Sequence, residues 1–502
     1  MQYRKTQLAL SLSGALLISS MLDVISPAMA QVDIPNRSDR RPNLSLDPFE
    51  RAREAMKNLP NTSQPSRTEP EPEPVRERAQ PEEPRSSIAP APVVEAPALA
   101  PTKASEPEEP AEAFSYGLMA VADYFSLASG GLNQAADPNE AVKSGSALLL
   151  DISGEIDTEA AGYWKNGLFS AQFVVYGTVS ATSPGDIVGD FHGLSGNDAG
   201  PDPLYKIYEG WYQHSFDHGK ASIRVGIQDW NSEFYISEFA NLYMNGTPGM
   251  GGVVNMAGPS TFPATSLGFR FLSELTENSY YQISVFDATP DEGGIVAVNL
   301  SNDDGFFSSM ELGMSNAEPG EEGYYRIGGG MWFLRTLISG YVGTSEEDEL
   351  IPPSGDPVAV NTGSFDPQSG TYGAYVFGEM AIGDRIGVFV KAGWADPRYN
   401  RYSLYGAAGV NYSGLVPGRV DDVLGIAVNH TQQSKQFLSD NWDNDNDVQS
   451  SFTYETNIEL TYSAQINDWL MIQPDFQYIM QPAMQYGITN AAVVGIRVQA
   501  EY

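Results

Sequence analysis

The carboxy-terminal segment of this 502-residue chain, Ala492–Tyr502, alternates between apolar and polar side chains. Apolar or aromatic residues occupy every even-numbered position, and from Gly495 onward the odd-numbered positions hold small or polar residues, among them Arg497 and Glu501. A period of two is that of a β-strand, whose successive side chains point to opposite faces. The chain therefore ends on a strand with one apolar and one polar face, and its last residue is aromatic.

The same alternation recurs along the chain from Phe114 onward. Clear examples are Leu148–Glu155, Phe169–Tyr176, Ala221–Gln228, Ser266–Phe271, Tyr454–Tyr462 and Leu470–Tyr478. These runs have about the length that a tilted strand needs to cross a bilayer. A soluble sheet could show the same pattern, so the connections between the strands are needed to distinguish a soluble sheet from a membrane barrel.

Short and long connections alternate in order between these strands. Tight turns are predicted at 217–219, 274–278, 383–385 and 465–468, and long connections at about 180–203, 230–264, 288–305, 335–370 and 433–451. Outer-membrane barrels sort their connections in this way, with short periplasmic turns and long external loops. We therefore predict an all-β fold, a transmembrane antiparallel β-barrel of about sixteen strands, from near Tyr116–Phe125 to Ala492–Tyr502. An even number of strands places both ends of the barrel in the periplasm.

The amino-terminal region divides into two parts before the barrel domain, which we expect to span 114–502. Residues 1–30 carry the marks of an export signal: Arg4 and Lys5, a short apolar core at Leu8–Ile18, and the small-residue cleavage site Ala28–Ala30. Residues 31–113 include a Pro/Glu-rich stretch with few large apolar side chains, which predicts a disordered periplasmic segment. It is either a spacer or a tether that contacts the cell wall. A short helix is predicted within it, at 47–59.

Composition argues against several classes of function. The chain has no cysteine, which excludes disulfides and cysteine-ligated metals, and its net charge of −36 would repel nucleic acid. The four histidines are scattered, and the acidic run 440–447 lacks the Gly and the distal Glu of an EF-hand calcium loop. Glu233 and Glu238 are the carboxylates to examine for glycosidase chemistry, but no catalytic constellation supports it. We expect no enzyme activity, no cofactor and no metal.

The polar faces of the strands would line the lumen of such a barrel. Mixed charge with many amide, hydroxyl and tyrosine groups suits polyhydroxylated solutes. Placing Glu209 inward also places Ile207 and Trp211 inward, so Trp211 is either a stacking platform for a sugar or a packing partner of an inserted loop. The substrate-binding candidates at the constriction are Arg270, Glu209, Trp211, Arg224, Glu233, Glu238 and Arg497.

The long connection Trp230–Thr265 should fold into the lumen and narrow it. It carries Phe234, Tyr235, Phe239, Tyr243 and Met244, which is more apolar surface than a free external loop would expose. Arg270 follows this loop on the polar face of its strand. It could donate to sugar hydroxyls or pair with a lumen acid such as Glu238.

Several motifs, in this order, resemble the carbohydrate-selective porins of Gram-negative outer membranes. They are Ser129–Leu132, Tyr208–Gln213, Arg224–Asp229, Asn231–Phe234, Ser237–Glu238, Gly258–Pro263, Leu267–Arg270, Tyr454–Thr456, Leu460–Tyr462, Ile472–Tyr478 and Asn490–Val493. The resemblance runs from about Phe114 to Tyr502. It implies a sixteen-stranded barrel that passes glucose and similar sugars by facilitated diffusion. The Pro/Glu-rich segment lies outside the shared region, and the last residue is Tyr where Phe is commoner.

Two other functions remain open at this stage. One is a general diffusion porin with no sugar preference, and the other is a structural barrel that ties the outer membrane to the cell wall. The expected partners are outer-membrane lipid, neutral sugars and the barrel-assembly machinery, which would engage the strand ending in Tyr502. The sequence leaves open whether the barrel forms a homo-oligomer.

Overall fold

A computed structural model describes residues 113–131, 143–180, 182–198, 200, 203–252, 254, 257–288, 290, 295–296, 305–317, 323–335, 340–343, 349–350, 358–363, 370–443, 448–449 and 451–502. The predicted export signal, the Pro/Glu-rich segment up to residue 112 and the predicted helix at 47–59 lie outside these ranges. So do residues 444–447 of the acidic run.

Sixteen antiparallel strands close into one barrel, as the alternation predicts. In chain order they are β1 (Phe114–Gly131), β2 (Ser144–Asp157), β3 (Gly167–Gly177), β4 (Leu204–Phe216), β5 (Ala221–Gln228), β6 (Ser266–Thr276), β7 (Ser279–Asp287), β8 (Phe306–Ser315), β9 (Tyr325–Arg335), β12 (Thr371–Ile382), β13 (Ile386–Ala395), β14 (Tyr402–Ser413), β15 (Val423–Gln433), β18 (Tyr454–Asn467), β19 (Leu470–Met480) and β20 (Thr489–Glu501). The barrel closes where β1 pairs with β20. Two short hairpins, β10 (Glu349–Leu350) with β11 (Val358–Ala359) and β16 (Trp442–Asp443) with β17 (Val448–Gln449), lie in long connections.

The two faces of the barrel follow the period-two pattern. On the outer face Val225 pairs with Phe269, and these side chains are 46% and 40% exposed, as lipid-facing residues should be. One position along, Arg224 pairs with Arg270 on the inner face, and both are buried. The predicted alternation of tight turns and long loops is confirmed as well, and both ends of the barrel lie at the short-turn end.

The helices whose bounds lie within the described ranges are all short and occur in the connections. The bounds are Gly185–Val188, Asp217–Gly219, Phe239–Leu242, Thr247–Met250, Lys435–Asp440 and Pro482–Met484. Within the described ranges, none of these helices has the length and apolar character needed to cross a membrane.

The predicted inward position of Ile207 is wrong, because β4 contains a β-bulge. Gln172 pairs with Glu209 and the next residue, Phe173, pairs with Ile207, so Tyr208 is the additional residue. A bulge of this kind reverses the alternation on one side of it. Glu209 and Trp211 therefore point inward as expected, Tyr208 is also buried, and Ile207 lies on the outer face beside Gly210.

The hydrophobic core sits inside the barrel. The connection between β5 and β6, residues 229–265, is here called the inserted loop. Its buried side chains Trp230, Phe234, Tyr235, Phe239, Leu242 and Tyr243 pack against inner-face residues of β7 to β9 and of β12 to β15. The predicted inward fold of this loop is confirmed. Gly387 on β13 makes room for it, since a Cβ there would lie 2.7 Å from the ring of Phe239.

Candidate functional site: a pore constriction

The inserted loop is held to the barrel wall by carboxylates that accept hydrogen bonds from its backbone. Glu311 Oε2 accepts from the Tyr235 amide at 2.8 Å, and Glu379 Oε2 accepts from the Phe239 amide at 3.2 Å. On β18, Glu459 accepts from the amides of Met244 and Asn245 at 2.7 and 3.2 Å. These inner-face carboxyl groups thus fix the path of the loop.

A second connection, residues 178–203, also folds inward and is here called the companion loop. Glu455 on β18 accepts from the backbone amides of Phe191 and His192, at 2.8 and 3.0 Å, and lies 2.7 Å from His192 Nδ1. Ile187, Val188 and Leu194 pack against Phe125 and the last two strands. The companion loop covers the wall near the junction of β1 and β20.

The two loops are joined by hydrogen bonds within the lumen. The Asn245 side-chain amide donates to the Gly193 carbonyl at 2.6 Å, and the Gly196 amide donates to the Met244 carbonyl at 2.8 Å. Thr247 Oγ1 donates to the His192 carbonyl at 2.7 Å. The loops therefore form one continuous shelf, and a solute crossing the barrel has to pass beside it.

Two arginines on the wall meet this shelf through one carboxylate. Arg224 on β5 and Arg270 on β6 contact the two oxygens of Glu233 from the inserted loop, at 2.6 and 2.7 Å. Both guanidiniums also donate to Gln213 Oε1 on β4, at 3.1 Å from Arg224 and 2.8 Å from Arg270. We call these residues, with Trp211, the arginine cluster. Shared acceptors allow two like charges to lie side by side.

Trp211 and Glu209 extend the cluster along β4. The Arg224 guanidinium lies 3.7 Å from the centre of the Trp211 ring, a cation–π contact that occupies one face of the indole. Trp211 Nε1 donates to Glu209 Oε2 at 3.2 Å, and Glu209 Oε1 accepts from the Asp229 amide at 2.6 Å. Glu209 thus anchors the first residue of the inserted loop.

Five of the seven candidate residues come together in this way, and two do not. Arg497 forms an ion pair with Asp123 at 2.7 Å, at the β1–β20 junction, where Asp123 also accepts from Ser195 of the companion loop. Glu238 precedes the short helix Phe239–Leu242, in the part of the inserted loop that Glu379 anchors. The ion-pair partner of Arg270 is Glu233 instead of the Glu238 suggested as an alternative.

Sequence reasoning missed Gln213 and Glu311 as site residues. Gln213 lies within one of the family-like motifs, and Glu311 occupies a polar inner-face position of β8. The alternation alone could have placed both in the lumen. Nothing local, however, marks one residue as the acceptor for two arginines, or the other as an anchor for a loop.

Two loop carboxylates have raised pKa values because they are buried. Burial raises the pKa of Asp229 to about 6. Burial, together with the nearby charge of Glu455, raises the pKa of Asp190 well above its usual range. In the part of the chain that the structure describes, no three His, Asp or Glu side chains are grouped so as to hold a metal ion.

Comparisons with known proteins agree on one family. The model for the carbohydrate-selective porin, OprB family, matches residues 150–502. Porin B of Pseudomonas aeruginosa is 24% identical over 328 residues, which are 59% of this chain and 68% of that protein. The high-pH structure of Pseudomonas putida OprB superposes with a TM-score of 0.64 at 17% identity, covering 78% of this chain and 94% of the other. At this identity the superposition supports the fold.

Proposed function

Because the chain belongs to the OprB family of carbohydrate-selective porins, we propose that it passes neutral sugars of about the size of glucose beside the shelf formed by its two inserted segments. Family and fold are those of channel proteins, and the protein is a carbohydrate-selective porin of the outer membrane. Passage is passive, and selectivity comes from the width of the pore and the groups that line it.

The arginine cluster is the observation that carries the proposal. Its carboxylate and its amide offer an acceptor and a donor to the lumen, and the two guanidiniums and the indole hold them in place; a sugar needs such groups when it leaves water. Arg224 and Arg270 are buried, while Glu233 of the inserted loop and Gln213 of the wall, which hold them, remain partly exposed. We propose that sugars are selected where they pass this cluster, and that Arg497 with Asp123 lines the pore on the companion-loop side.

A sugar-block experiment tests the proposal. Single channels in a planar bilayer should lose current as glucose is added, and liposome swelling should slow steeply as the sugars become larger. A general diffusion porin would show no glucose block, and that result would refute the sugar preference. Arg270→Ala should weaken the block while leaving the barrel folded.

The remaining partner assignments are also proposals. The predicted periplasmic segment 31–113 is proposed as a spacer, with cell-wall contact as the alternative, and the strand ending in Tyr502 is proposed to engage the barrel-assembly machinery. Deleting 31–113 should leave the sugar flux intact. Loss of flux would instead favour a structural barrel that ties the outer membrane to the cell wall through this segment.

A further inference from the structure

The two arginines of the cluster direct their guanidinium donors to protein groups and present few of them to a solute. Arg224 donates through Nε and Nη2 to Gln213, and its Nη1 lies 2.6 Å from Glu233. Arg270 donates to Ser222 and Gln213 and contacts Glu233 through Nε. Every guanidinium nitrogen of the pair thus lies within 3.3 Å of a protein oxygen, although Arg270 Nε is not aligned for a hydrogen bond with Glu233. The side chains are 1% and 3% exposed, so a solute in the lumen meets the groups that hold them.

Gln213 is the neutral group among these holders. Its Oε1 accepts hydrogen bonds from Nε and Nη2 of Arg224 at 3.3 and 3.1 Å, and from Nη2 of Arg270 at 2.8 Å. A side-chain amide can usually be turned to exchange its oxygen and nitrogen, because the two ends are similar in shape. Here that exchange is blocked, since an NH2 group would face three donors. The arginines therefore fix the orientation of the amide.

The same geometry directs the other end of the amide into the lumen. Gln213 lies on the inner face of β4 and is partly exposed. Its Nε2 donates to no group among the described residues. Since this nitrogen is also not fully buried, it is open to solvent. The result is an amide donor that is fixed in direction, placed beside the shelf and without a hydrogen-bond partner among the described residues.

We propose that Gln213 is a specificity-determining residue, whose Nε2 donates a hydrogen bond to an oxygen of the passing sugar. The arginines orient this donor and do not themselves make the decisive contact. A neutral donor suits a neutral solute, because its own desolvation costs less than that of a guanidinium. This inference rests on the proposed function, since it concerns the same sugars at the same constriction.

Glucose block of single-channel current tests this role with two variants and a control. Gln213→Glu keeps the shape and the acceptor for both arginines but removes the donor. It should weaken apparent glucose affinity about three- to tenfold, which is the worth of one net hydrogen bond. Gln213→Met removes both ends and should also weaken the block. Gln465→Glu places the same new charge near a periplasmic turn and should leave glucose affinity within about twofold of wild type.

The outcomes separate three cases. Unchanged glucose affinity in Gln213→Glu, with a loss only in Gln213→Met, would mean that Gln213 merely positions the arginines, and the proposal would be wrong. Unchanged affinity in both variants would also overturn it. If the wild-type channel itself showed no glucose block, the proposed function would fail first and this inference would fail with it. Heat-modifiable mobility in gels checks that each variant forms the barrel.

Discussion

Removing one wall carboxylate should loosen the inserted loop without unfolding the barrel. Glu379 accepts three hydrogen bonds: from Ser237 Oγ at 2.7 Å, from the Phe239 amide at 3.2 Å and from the Tyr324 hydroxyl at 2.5 Å. Glu379→Ala leaves these three buried donors without an acceptor, at about 1–3 kcal/mol each, or about 3–9 kcal/mol together. The strand ladder on either side keeps its backbone hydrogen bonds.

The burial of the loop's apolar side chains offsets the free energy lost with these three hydrogen bonds. Six of them are buried against the wall, and at about 1.5–3 kcal/mol each they contribute about 9–18 kcal/mol to docking. The apolar term is the larger one, so the loop should stay in the lumen but move more. Glu379→Gln, which keeps one oxygen, should have a smaller effect.

Open-channel current noise in a planar bilayer measures this mobility. Noise should increase in the order wild type, Glu379→Gln, Glu379→Ala, while the heat-modifiable gel shift stays the same. Glu274→Ala is the matched control. Glu274 lies on the same inner face near a periplasmic turn, and no hydrogen bond from its side chain to the loop is seen within the described ranges. Equal noise in all four channels would refute the view that wall carboxylates hold the loop.

Two further results are expected. Val225→Arg places a charge on the lipid face and should destabilise the barrel by about 2–4 kcal/mol if it lies near mid-bilayer, as a urea titration can measure. Glu274→Arg on the inner face should destabilise the barrel much less. Equal losses of stability would mean that the two faces are inverted. The pKa of Asp229 is about 6 in the docked loop and near 4 when exposed, so docking stability should fall as pH rises from about 4 to about 6, and current noise should rise with it. Asp229→Asn should flatten this pH dependence, and an unchanged slope would remove Asp229 as its cause.

The sequence was sufficient for the barrel because its signal is local and repeated. The neighbouring residues alone indicate which face of the barrel Val225 and Arg270 lie on. The aromatic side chains of the loop 229–265 likewise predict that it folds inward. The family resemblance noted from Phe114 is confirmed by the family match from residue 150 onward.

The parts of the site that sequence could not supply depend on tertiary contacts. The bulge at Tyr208 exists because two strands shift their register, and no residue type there demands it. The choice of Glu233 over Glu238 as the partner of Arg270 depends on the course of the loop between them. That course includes Tyr235 in a left-handed conformation, with φ of 60°, which the hydrogen bond to Glu311 helps to hold.

The apolar packing of the inserted loop gives the constriction the temperature response of a small protein core. Burial of apolar surface becomes less favourable on cooling, whereas the barrel ladder of backbone hydrogen bonds has no such dependence of its own. Cold should therefore act on the narrowest part of the channel before it acts on the wall. A pore built in this way has a rigid frame, and the loop that narrows it is held by an apolar contribution that weakens as the temperature falls.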